Sequence, residues 1–129
     1  MANRKIIYTV GYLNFQTVED FIRALEAKGV KAVVDVRENP RSPKKGFSSR
    51  PLAEALGRSG ILYWWSGHKL GGRTCTRAMW EAGCEELVMR LADDTPVCLM
   101  CCERDWTGCH RRHLAKIFVE MGWQSEEIT

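Results

Sequence analysis

The sequence predicts an α/β domain built on a mainly parallel sheet of about four strands flanked by helices. Three observations carry that expectation. Strand-like and helix-like patterns alternate four times, and the strand runs are almost continuously apolar, as in sheets covered on both faces. No repeat, low-complexity stretch or linker interrupts the chain. The expected organisation is one compact domain over 1–129, long enough to bury a real core.

The first strand runs from Lys5 to Val10 and stops at Gly11. Thr17 then reads as an N-cap with Asp20 three residues on, and Val18, Phe21, Ile22 and Leu25 share one helical face that ends before Gly29. Ala32 to Val36 is the second strand. Pro40 and Pro43 keep the next segment irregular, and Ser49 and Pro51 open a short helix that carries Leu52 and Leu56. Gly57 and Gly60 break it.

Ile61 to Trp65 forms the third strand, and Ser66 to Cys75 is a loop holding Gly67, Gly71 and Gly72. Thr76 caps a longer helix with the stripe Met79, Trp80, Cys84, Leu87, Val88 and Leu91. Asp93, Asp94 and Pro96 punctuate the chain before the fourth strand, Val97 to Cys101. The last helix places Leu114, Ile117, Phe118 and Met121 on one face and stops at Gly122.

Right-handed crossovers put the loops after all four strands on one edge of such a sheet, the edge where ligands bind. Those loops hold Gly11 to Asn14, Asp35 to Arg41, Trp65 to Gly72, and Cys101 to His110. The last is the densest in chemistry: Cys101, Cys102, Glu103, Cys109, His110 and Arg111 fall within eleven residues. Thiols, a carboxylate, an imidazole and a guanidinium so close together suit a site better than core filling.

Composition narrows the partners. No apolar run approaches the roughly 20 residues that span a bilayer, and no secretory signal opens the chain, so the expected location is the cytoplasm. There the six cysteines are expected to stay reduced, Cys84 and Cys98 as packing residues. The net charge of +3 argues for nothing by itself. Its distribution says more: Arg37, Arg41, Lys44, Lys45 and Arg50 share one segment with a single acid, Glu38. That segment reads either as a solvated loop or as an attractor of anions, phosphates or a nucleic-acid backbone.

The motifs also carry a family resemblance. They are Thr9-Val10-Gly11, then Val34-Asp35-Val36-Arg37 with Pro40 and Ser42, and Phe47-Ser48. Gly60-Ile61 with Tyr63 and Leu70-Gly71-Gly72 follow, and the pattern C-x-E-x5-C-H-R closes the series at Cys101, Glu103, Cys109, His110 and Arg111. In this order, over nearly the whole chain, they resemble the bacterial and archaeal family called domain of unknown function 488. The resemblance implies a single α/β domain with these residues around one pocket, and it supplies no reaction. Tyr12 stands where many members carry a histidine, so no role for that histidine transfers. Cys102 stands where small residues are common.

Three functional readings are open. In the first, a thiol-dependent enzyme handles an anion, with Cys101, Glu103, Cys109 and His110 catalytic and Asp35, Arg37, Arg41 and Arg111 binding substrate. The strand–Cys–loop–helix layout is analogous to rhodaneses and cysteine phosphatases, although the C-x5-R loop of the phosphatases is absent. In the second, Cys101, Cys109, His110 and His113 ligate zinc or iron, without the usual paired CxxC pattern of structural zinc. In the third, the basic segment with Phe47, Tyr63, Trp64, Trp65 and Trp106 binds nucleic acid.

Each of these residues also has a structural reading. His110 precedes Leu114 by four and could be a core histidine bonded to a carbonyl. Glu103 could cap the last helix or pair with Arg104. Asp35 and Arg37 could be a structural ion pair, and the Gly71-Gly72 turn could let backbone approach a ligand. Tyr12, Trp65 and His68 are candidate pocket walls.

Overall fold

A computed structural model describes residues 5–91, 95–103 and 109–129. Asp93, Asp94, Arg104 and Trp106, used in the sequence readings, lie outside the described residues. Five strands form one all-parallel sheet in the order β3-β2-β4-β1-β5. They are β1 (Ile6–Gly11), β2 (Ala32–Asp35), β3 (Leu62–Trp65), β4 (Val97–Cys101) and β5 (Gln124–Ile128). Five helices flank them: α1 (Val18–Ala27), α2 (Ser49–Arg58), α3 (Gly67–Leu70), α4 (Arg77–Arg90) and α5 (Arg111–Glu120).

The expected caps are in place. The Thr17 hydroxyl accepts the Asp20 N–H at 3.1 Å at the start of α1, and the Thr76 hydroxyl accepts the Met79 N–H at 3.2 Å at the start of α4. Beyond α1, Gly29 has φ of 73°, the left-handed turn that a glycine makes without penalty. Two expected stripe residues instead face outward: Met79 in α4 and Met121 after α5 are both exposed, leaving Cys84 and Leu87 to bury α4.

Alternation along the strands divides the interior in two. On one face Ile7, Val34, Val97 and Leu99 pack with Cys84 and Leu87 of α4 and with Leu114 and Phe118 of α5. On the other, Val10, Val33, Cys98 and Met100 pack with Phe21 and Leu25 of α1 and with Leu52 and Leu56 of α2. Both faces are thus covered, which is why the inner strands read as unbroken apolar runs.

Two elements differ from the expectation. α3 is a single helical turn inside what reads as a loop, tucked in by the buried Leu70. β5 makes the sheet five-stranded rather than four. It pairs in parallel with β1 from Ile6–Gln124 to Val10–Ile128, although in Gln-Ser-Glu-Glu-Ile only Ile128 is buried.

The topology places the site. β1 leads to α1 on one face, whereas its neighbour β4 leads to α5 on the other. A crevice opens at the carboxyl ends of two adjacent strands whose connections leave to opposite faces. Gly11 and Cys101 are paired in register at that point.

Candidate active site at the carboxyl edge

Cys101 is the last residue of β4, so its side chain is delivered to the edge of the sheet by a strand buried along its whole length. Gly11, opposite, leaves room for the chain beyond. A Cβ on Gly11 would collide with the Glu103 carbonyl and lie 3.2 Å from Arg111 Nη2.

Through that gap the Arg111 side chain, wholly buried, reaches the site from the first turn of α5. Its Nη1 donates to Cys101 Sγ at 3.0 Å and to the Glu103 carbonyl oxygen at 2.8 Å. Its Nη2 donates to Glu127 Oε1 at 2.7 Å, and the Thr9 hydroxyl also donates to the Glu127 carboxylate. A buried guanidinium is thereby balanced by a carboxylate from β5 and laid against a sulfur.

The sulfurs of Cys101 and Cys109 are joined, whereas Cys75, Cys84, Cys98 and Cys102 are free. The end of β4 and the approach to α5 bring the Cys101 and Cys109 sulfurs face to face. Cys84 and Cys98 pack in the core as expected. Burial pushes the Cys84 thiol up to about 12 and the Cys98 thiol well above its ordinary value. Half-buried Cys102 is raised by burial first and then by the neighbouring Glu103.

Among the described residues, Cys101, Glu103 and Cys109 form the group that could hold a metal ion, with ligand atoms within 4.8 Å of one another. His110 and His113 fall outside it. His113 stacks on Trp80 with ring centroids 6.0 Å apart. His110 directs Nε2 to the Val36 carbonyl oxygen at 3.2 Å and has Nδ1 3.9 Å from Cys109 Sγ. Burial lowers its pKa, opposed by the Val36 and Leu70 carbonyls.

Asp35 and Arg37 do form a buried ion pair. Arg37 Nε and Nη2 meet the two Asp35 oxygens at 2.9 and 2.7 Å, and the Tyr63 hydroxyl donates to Asp35 Oδ2 at 2.5 Å. Burial works against the Arg37 charge, but bonding to Asp35 outweighs it and raises the pKa; burial and Asp35 likewise raise that of Tyr63. The opposite corner of the guanidinium, Nη1, is buried without a hydrogen-bond partner among the described residues. Arg37 also lies over the Tyr12 ring, 5.2 Å from its centroid.

These groups surround a cavity of about 420 Å³. Of the eight residues singled out for catalysis and substrate binding, Cys101, Glu103, His110, Arg37 and Arg41 line it. Cys109, Asp35 and Arg111 stand behind them, so Arg111 supports the wall rather than forming it. Three lining residues carry no motif signal that separates them from ordinary loop residues: Glu38, Asn39 and Arg73. Glu38 accepts the backbone N–H groups of Thr74, at 2.7 Å, and of Arg73, which lower its pKa, the Thr74 bond most.

Other expected features lie elsewhere. Tyr12 is a wall of this cavity, but Trp65 and His68 line a second one between β3 and α4. Gly72 brings backbone against His110 itself, with an added Cβ only 2.9 Å from Nδ1. Phe47 is fully buried and stacks on Tyr12, so it offers no surface for a base.

The sequence profile of the domain of unknown function DUF488 matches residues 17–86 and 76–118. The chain belongs to the DUF488 family. No curated protein and no solved structure matches it. In this DUF488 member the matched stretch spans β2, β4 and the cavity residues from Arg37 to His110, and it ends before β5, which supplies Glu127. No helix among the described residues is long and apolar enough to cross a membrane.

Proposed function

We propose that the protein binds a small anion in the cavity at the β1/β4 crevice and acts on it through the Cys101 sulfur. The observation that carries this reading is the 3.0 Å contact of the buried Arg111 Nη1 with Cys101 Sγ, made at the wall of a cavity that Arg37 and Arg41 also line. A guanidinium against a sulfur favours thiolate over thiol, and the thiolate is the nucleophile. Arg41 and Arg73, on the same cavity wall, supply guanidinium donors for an oxyanion.

Glu38 and Glu103 line the cavity with Arg37, whose charge Asp35 balances, and with Arg41 and Arg73, the two guanidiniums that an anion would meet there. Its size suits a small molecule rather than a macromolecular segment. Asp35 and Tyr63 orient Arg37, and Glu103, with Oε2 3.5 Å from Cys101 Sγ, is placed to exchange protons with the sulfur or its substrate.

The test is alkylation of the phosphine-reduced protein by iodoacetamide at neutral pH, followed by peptide mapping with inorganic sulfate and phosphate as competitors. Cys101 should alkylate faster than the half-buried Cys75 and Cys102, sulfate or phosphate should slow it, and Arg37→Ala should abolish that protection. Alkylation of Cys101 no faster than of Cys75, or indifferent to both anions, sinks the reading.

A further inference from the structure

We infer that Cys101 and Cys109 form a working dithiol–disulfide couple that reduces a small anionic disulfide, with Cys101 attacking and Cys109 resolving. This rests on the reading of the cavity as an anion site served by Cys101, and it adds a substrate class and a second reacting group. The joined sulfurs come from different elements, the end of β4 and the approach to α5, so the fold itself brings them together.

Their surroundings assign different roles. Cys101 lines the cavity and receives Arg111 on its sulfur. Both belong to the same core, Cys101 2 % and Cys109 4 % exposed, but Cys109 is not among the residues that line the cavity. A substrate entering from the cavity therefore meets Cys101 first and meets Cys109 only through it. Cys84 and Cys98 are fully buried in the two cores, which leaves Cys109 as the buried thiol beside Cys101. Arg41 and Arg73 offer the guest's carboxylates guanidinium partners, and a disulfide bearing carboxylates supplies both the anion and an electrophilic sulfur.

The steps balance. The Cys101 thiolate attacks one sulfur of the substrate disulfide, forming a mixed disulfide and expelling one substrate thiolate. Cys109 gives up its proton and attacks Cys101 Sγ, which forms the Cys101–Cys109 bond and expels the second thiolate. His110 is the adjacent base: its Nδ1 is 3.9 Å from Cys109 Sγ, and its Nε2 meets the Val36 carbonyl oxygen at 3.2 Å, which leaves Nδ1 to take the proton. The substrate gains two electrons and the dithiol loses them. An external dithiol, in exchange for its own oxidation, restores the reduced pair.

The test uses the full chain with Cys75→Ser and Cys102→Ser, reduced with a phosphine that is then removed. The probe is dithiobis(nitrobenzoate), whose two halves each carry a carboxylate. Two thionitrobenzoate anions per chain should be released, and the product should carry no adduct and map as a Cys101–Cys109 disulfide. Adding Cys109→Ser should reduce the release to one and leave a stable adduct on Cys101. The uncharged dithiodipyridine should lose its disadvantage against the anionic probe when Arg37 or Arg41 is changed to Ala.

A mixed disulfide that persists on Cys101 while Cys109 is present overturns the couple, and fast labelling of Cys101 in that same experiment leaves the anion–thiol reading standing. Absence of labelling at Cys101 overturns both. The first measurement keeps both site cysteines, so its outcome does not depend on the folding of a Cys109 variant.

Discussion

Arg111 Nη1 lies 3.0 Å from Cys101 Sγ while Nη2 of the same guanidinium lies 2.7 Å from Glu127 Oε1. One buried cation thus ties the sulfur at the end of β4 to a carboxylate on β5, two strands that are not neighbours in the sheet. β1 lies between them, and it contributes Thr9, whose hydroxyl also meets Glu127, and Gly11, whose missing side chain leaves Arg111 its passage. The Cys101 sulfur and the outer strand of the sheet therefore share one network.

Removing Glu127 takes from the wholly buried Arg111 guanidinium the β5 carboxylate that it meets at 2.7 Å. Glu127→Ala should cost about 2–4 kcal/mol, below the usual maximum for a buried pair because the Glu127 side chain keeps some solvent. Urea unfolding of the variant against the parent reads this directly. A loss under about 1 kcal/mol would mean that the pair behaves like a surface ion pair and does not hold Arg111 in place.

The Asp35 pair gives a graded comparison. Asp35→Asn should destabilise by about 3–5 kcal/mol, because both partners are buried and Arg37 loses the charge that offsets its desolvation. Tyr63→Phe removes one hydrogen bond to the same carboxylate and leaves the ion pair intact, so it should cost only about 1.5–3 kcal/mol. Equal losses in the two variants would show that Asp35 acts chiefly as the acceptor of Tyr63.

How far the site can be read from sequence follows from the range of the signals. β1 to β4 and the four longer helices announce themselves through apolar period and caps, and the loops carrying Cys101, Arg37 and Arg41 are found by strand–helix alternation alone. β5 is silent because its alternation is carried by Glu126, paired with Lys28, and Glu127, paired with Arg111. A strand secured by ion pairs to α5 and to the residue that ends α1 leaves no local hydrophobic pattern. The ion pair of Arg111 is hidden for the same reason: its partner lies sixteen residues away on that unseen strand. The site of Glu38 is equally hidden, since its partners are backbone N–H groups at the far end of another loop.

His110 makes stability depend on pH. Burial lowers its pKa below the ordinary 6.5, so on acidification the unfolded chain takes up this proton before the native protein does. The contribution is complete above about pH 6.5 and declines as pH falls from there through the lowered native value. One such group adds a slope of at most about 1.4 kcal/mol per pH unit. Urea midpoints of the parent and of His110→Asn, compared across that window, should show a shallower acid decline in the variant. Parallel curves would mean that the imidazole is as easily protonated in the folded protein as in the unfolded one.

Gly11 and Gly57 should respond in opposite directions to the same substitution. Gly57 lies within α2 with nothing within 4 Å of an added Cβ, so Gly57→Ala should stabilise by about 0.5–1 kcal/mol through helix propensity alone. At Gly11 the obstacle is space rather than conformation. Its φ of −103° suits any residue, but the added carbon meets the Glu103 carbonyl, a backbone atom with no rotamer to change. That oxygen is also an acceptor for Arg111 Nη1, so moving it pulls the guanidinium away from Cys101. Gly11→Ala should therefore destabilise by about 1–3 kcal/mol, as overpacking does, and should also slow alkylation of Cys101. Lost stability with unchanged Cys101 reactivity would separate the two, and the link from Gly11 through the Glu103 carbonyl to Arg111 would be wrong.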